Sequence, residues 1–85
     1  MSRTLYVGNL PLSTTAEALA VKFGICGTVV SVKIVTDEET GRLKGIAFVE
    51  MANSSEAQTA IDKLNLSNYD GRLMSVNKLR AAAVS

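Results

Sequence analysis

Hydrophobic positions along the chain change their period five times, and each change predicts an element boundary. Residues 3–8, Arg-Thr-Leu-Tyr-Val-Gly, suit a pleated surface and predict a short strand that Asn9-Leu10-Pro11 ends. Ser13-Thr14-Thr15 is a run of helix N-cap residues, and Thr14 with Glu17 three positions on has the spacing of a capping box. Ala16, Leu19, Ala20 and Phe23 then recur at the spacing of one helical face, with Gly24 and Gly27 as stops. Residues 28–36 predict a second strand, with Val30, Val32 and Ile34 on one face and Ser31, Lys33 and Val35 on the other. Asp37 to Arg42 is a polar connection of hairpin type containing Gly41. Residues 44–52 predict a third strand. Asn53-Ser54-Ser55 opens a second helix whose apolar face is Ala57, Ala60, Ile61 and Leu64. Beyond Asn68-Tyr69-Asp70-Gly71, residues 73–79 predict a last strand.

The order β-α-β-β-α-β is a split βαβ arrangement, an α+β ferredoxin-like fold. Two right-handed crossovers place both helices on one face of a four-stranded antiparallel sheet in the order 4-1-3-2. The other face carries no helix, and the first and third strands lie at its centre. Alternation sends Leu5, Val7, Ala47, Val49 and Met51 under the helices, so Tyr6, Gly8, Lys44, Ile46, Phe48 and Glu50 face the open side. Two of the chain's four aromatic residues are thus predicted on the uncovered face. Flat rings beside Lys44, Lys33 and Arg3 suit the stacking of single-stranded bases, with cations meeting phosphates.

Composition narrows the chemistry. At 85 residues the chain has room for a single domain over residues 1–85, its core between 3 and 80. With no His and one Cys, a disulfide framework, a Cys/His zinc site and a His-based catalytic triad are all excluded. The carboxylates are scattered with no inward-facing pair, so no acid–base site is expected; the chain reads as a non-enzyme without cofactor or metal. The lone thiol suits a reducing compartment, and neither a secretory h-region nor a transmembrane stretch is visible, so a cytoplasmic location is expected. The formal charge of +1 gives no support for a nucleic-acid binder by itself. The charges nevertheless sort: the strands and their ends hold Arg3, Lys33, Arg42, Lys44, Arg72, Lys78 and Arg80, whereas the helices carry a slight negative excess. Asp37, Glu38 and Glu39 at the rim offset part of this basic surface.

Two segments carry a resemblance. Leu5-Tyr6-Val7-Gly8-Asn9-Leu10 resembles the hexapeptide motif of the RNA recognition motif family, and Lys44-Gly45-Ile46-Ala47-Phe48-Val49-Glu50-Met51 resembles its octapeptide. Their separation fits the family, as do Asp37 with Thr40-Gly41-Arg42 and Asp70-Gly71-Arg72 before the last two strands. Val49-Glu50-Met51 and Val76-Asn77-Lys78 look most like the small single-domain members of bacteria. The resemblance implies that Tyr6 and Phe48 each stack a base, that Lys44 contacts the phosphate backbone, and that Asn77 and Arg80 read base edges. At the third octapeptide position Ile46 replaces an aromatic residue; it offers apolar contact to ribose but no π-face. Met51 replaces the final aromatic and points inward.

Plainer roles stand beside these. Cys26 is expected as a small buried hydrophobe, Gly41 and Gly71 as turn residues, and Arg72 and Lys78 as solubilising charges. Tyr6 and Phe48 could cap a face that another chain covers. The alternative function is therefore a protein-interaction or homodimerisation module, favoured by Ile46, Val35 and Leu43 on or beside the sheet face. RNA binding leads because it alone accounts for the placement of Tyr6 and Lys44.

Overall fold

A computed structural model of the chain describes residues 3–11, 13–36, 39–41, 43–69 and 71–78, with the backbone alone at 43 and 44. Asp37, Glu38, Arg42, Asp70, Arg80 and the side chains of Leu43 and Lys44 lie outside the described residues. Strands β1 (Thr4–Gly8), β2 (Val29–Thr36), β3 (Leu43–Met51), β4 (Ser67–Tyr69) and β5 (Arg72–Lys78) and helices α1 (Ala16–Gly24) and α2 (Ser54–Leu64) follow in the order β1-α1-β2-β3-α2-β4-β5. They form one antiparallel sheet in the order β2-β3-β1-β5-β4.

The inward phase of each strand is as alternation requires. Leu5, Val7, Ala47, Val49, Met51, Met74 and Val76 are fully buried and pack with Leu19, Phe23, Ala57, Ala60 and Leu64. Both helices therefore close on the same side of the sheet, and among the described residues no helix covers its other side. Cys26 is buried in this core. Of the remaining aromatic residues, Phe23 is in the core, and Tyr69 is half-buried with the Lys22 ammonium 5.1 Å above its ring.

Three local expectations are corrected. The sheet has five strands, not four, because part of the segment read as a connection is β4. Gly71 adopts φ +88°, and its N–H donates to Asn68 Oδ1 at 3.2 Å, closing a tight turn that lays Ser67–Tyr69 against Arg72–Met74. The second correction is Val30, expected inside but 55% exposed. Val29 pairs with Met51 and Ser31 with Glu50, so Val30 is the extra residue of a β-bulge. The bulge turns Val29 rather than Val30 toward the core, and Val32 and Ile34 keep their inward phase. Third, the N-cap of α1 is Thr15, whose hydroxyl accepts the Ala18 N–H at 3.1 Å. Thr14 is buried instead, its hydroxyl donating to the Pro11 carbonyl at 2.7 Å, and so is unavailable as a cap.

Polar side chains fix the elements to one another. Asn53 caps α2, accepting the Glu56 N–H at 2.8 Å, while the Glu56 carboxylate accepts the Thr28 N–H at 2.7 Å and holds the start of α2 to the start of β2. At the other end of α2, Asn65 Oδ1 accepts the Val76 N–H at 3.0 Å, occupying a backbone donor on the side of β5 where β4 has ended. Gly45 serves the loop after β1. The buried Leu10 donates its N–H to the Gly45 carbonyl at 3.0 Å, and a Cβ at Gly45 would stand 3.0 Å from the Leu10 carbonyl oxygen, at a φ of +76°. Only glycine meets both demands.

Candidate nucleic-acid interface

The open face is organised in rows that run across the strands. In β3, Phe48 stands directly opposite Tyr6 of β1 on one side and Lys33 of β2 on the other; Tyr6 in turn faces Asn77 of β5. Lys33, Phe48, Tyr6 and Asn77 thus form one continuous row, because partners facing each other across antiparallel strands project from the same side of the sheet. The two rings lie edge to face, with centroids 5.8 Å apart and planes at 64°. Tyr6 is 37% exposed and Phe48 half-buried, so each supports the other while keeping surface for a further ring.

Neighbouring rows follow from alternation. On one side lie Ile46, half-buried, with Gly8 and Ser75. A Cβ at Gly8 would come to 3.4 Å from Tyr6 Cε1, so glycine leaves the flank of that ring unobstructed. On the other side lie Ser31, Glu50 and Thr4. The Glu50 carboxylate is held from two directions. Arg3 donates from Nε and Nη2 to Oε2, both at 2.9 Å, and the Ser31 hydroxyl donates to Oε1 at 3.4 Å.

Of the residues singled out in the sequence, Tyr6, Phe48, Ile46, Lys33 and Asn77 are brought together on this face. Arg3 lies at its margin with its guanidinium engaged by Glu50. The Lys44 backbone lies in β3 and its side chain outside the described residues, as does the whole of Arg80. Sequence reasoning missed two participants, Leu73 and Asn9, and one pairing. Glu50 was placed on the face without its partner. Leu73, 56% exposed, shares the outward phase of Ser75 and Asn77 and extends the apolar surface; the alternation Leu73-Ser75-Asn77 carried that signal. Asn9, at φ +57°, donates to the Leu73 carbonyl at 2.8 Å and accepts from Arg72 Nη1 at 3.2 Å, so it clamps the end of β1 to β5.

Chemically the face offers two π-surfaces, an amide able both to donate and to accept, an ammonium group at one end of the row, and a carboxylate beside it. Among the described residues it carries no nucleophile with an adjacent base. It is a surface for holding a planar, anionic chain.

Comparison with known proteins agrees with this arrangement. RbpE of Nostoc sp., a protein named for RNA binding, is 43% identical over 77 residues, which span 91% of this chain and 78% of RbpE. Among solved structures, the RNA binding protein PG1 has a TM-score of 0.87 at 37% identity, covering 92% of this chain and 94% of PG1. A Sxl-lethal protein/RNA complex has a TM-score of 0.84 at 39% identity over 91% of this chain and 47% of that one. The RNA recognition motif family matches residues 5–75, a span that holds both helices, β2, β3 and β4 whole and parts of β1 and β5, and the chain belongs to that family.

Proposed function

We propose that this chain binds single-stranded RNA on the open sheet face, with bases stacked on Tyr6 and Phe48, Asn77 meeting a base edge, and Lys33 meeting phosphate. Lys44 and Arg80 are assigned phosphate and base-edge contacts on the family resemblance, and Ile46 apolar contact to ribose. The observation that carries the reading is the single row Lys33–Phe48–Tyr6–Asn77, which sets cation, two rings and amide side by side across four strands. The names of RbpE and of the RNA-bound relative support the same ligand. In this reading the protein is a binding module rather than an enzyme. Among the described residues no helix is long and apolar enough to cross a membrane.

Magnitudes set the expected strength. Stacking is worth about 1–3 kcal/mol per base, so two platforms supply roughly 2–6 kcal/mol. A micromolar complex needs about 8 kcal/mol. Phosphate and base-edge contacts supply the remainder, and binding near micromolar or weaker to a few nucleotides is expected. Phe48→Ala should cost about 1–3 kcal/mol of affinity for an octanucleotide while the domain stays folded, because the ring lies outside the fully buried core. Fluorescence anisotropy together with a circular-dichroism melt checks both halves; a folded variant that binds as well as the parent would remove stacking from the account. A protein-interaction module is the alternative. Its apolar surface would lie at Val21, Ile25 and Val30, which are 74%, 73% and 55% exposed.

A further inference from the structure

Resting on the RNA-binding reading, we infer that Glu50 makes this face choose among bases, favouring one that presents an exocyclic amino group over uracil at the Phe48 platform. Glu50 and Phe48 are two residues apart on the same face of β3, which places them about 7 Å apart along the strand. A base stacked on Phe48 therefore carries one of its edges toward the carboxylate. The other described side chains around Phe48 differ in kind: Lys33 is a donor, Ile46 is apolar, and Tyr6 contributes a ring. Among the described residues bordering Phe48, Glu50 alone is acceptor-only.

The carboxylate is also oriented. Both Arg3 donors fall on Oε2, whereas among the described residues Oε1 receives only the long Ser31 contact at 3.4 Å. Oε1 thus keeps lone pairs for a ligand, and the side chain remains 29% exposed. Adenine N6 and cytosine N4 are donors that such an oxygen accepts. Uracil offers one N–H flanked by two carbonyl oxygens, which the carboxylate repels. Arg3 acts here as a positioning residue: its charge is spent on Glu50, so the pair adds hydrogen-bonding character to the face without adding net charge.

The test is a titration of the parent chain and Glu50→Gln with A8, C8 and U8 oligonucleotides at several salt concentrations. The parent should prefer A8 or C8 to U8 by at least about fivefold, near the lower bound for one good base-edge contact. Glu50→Gln, which can donate as well as accept, should bring the three within about twofold, chiefly by strengthening U8, and its melting temperature should stay close to the parent's because the ion pair is exposed. Equal binding of all three by the parent would overturn the inference. So would a Glu50→Gln variant that strengthens every oligonucleotide alike and steepens the salt dependence, since the carboxylate would then act only by occupying Arg3. No binding of any oligonucleotide by the parent would instead sink the RNA-binding reading itself.

Discussion

Ile46 and Phe48 share the outward face of β3, yet only Phe48 can stack a base. Ile46→Phe would supply a third π-surface beside Gly8, which adds no side chain of its own to the row. Because Ile46 is half-buried at the surface rather than in the core, the larger ring should not overpack the interior. The expected outcome is tighter binding of single-stranded RNA, by up to about 1–3 kcal/mol, with a salt dependence equal to the parent's. Weaker binding by the folded variant would show that Ile46 meets something other than sugar or base. The outward placement of Tyr6 and Phe48 was legible in the sequence because their neighbours Leu5, Val7, Ala47 and Val49 leave one choice of phase. The engagement of Arg3 was not. Its carboxylate partner is 47 residues away, and nothing local to Arg3 or Glu50 announces the β1–β3 register that joins them.

Among the elements, those with long, clean periods were legible to within about one residue at their ends, as the agreement of both helices and of β1, β3 and β5 with the pattern shows. The failures have physical causes. In Val29-Val30-Ser31-Val32 every residue but one is β-branched and apolar, so sequence cannot say which valine is the bulged one; the β3 register decides it. β4 is three residues long and two of them are polar, too short for alternation to stand out from a turn. Its hairpin is nonetheless tied in, since Asn65 takes over the Val76 N–H just past the end of β4 pairing. Asn65→Ala leaves that part-buried donor without its partner and should lower unfolding free energy by about 1–3 kcal/mol. A urea titration should show a lower midpoint with an unchanged slope; an unchanged midpoint would mean that solvent satisfies Val76 equally well.

For the whole molecule, a net charge of +1 conceals a division of labour between the two sides of the sheet. One side of the sheet is closed by α1 and α2 over a core containing Phe23, while the other displays Tyr6, Phe48 and Lys33 in register with Asn77. Binding must therefore be one-sided. The most direct measurement is a titration of the 15N-labelled chain with an unlabelled A8 or C8 oligonucleotide, followed through amide shifts. The largest changes should fall on β1, β3 and the outward positions of β2 and β5, centred on Tyr6, Phe48, Lys33 and Asn77, with α1 and α2 nearly unmoved. Changes concentrated on Val21, Ile25 and Val30 with a quiet sheet face would contradict binding on the open face.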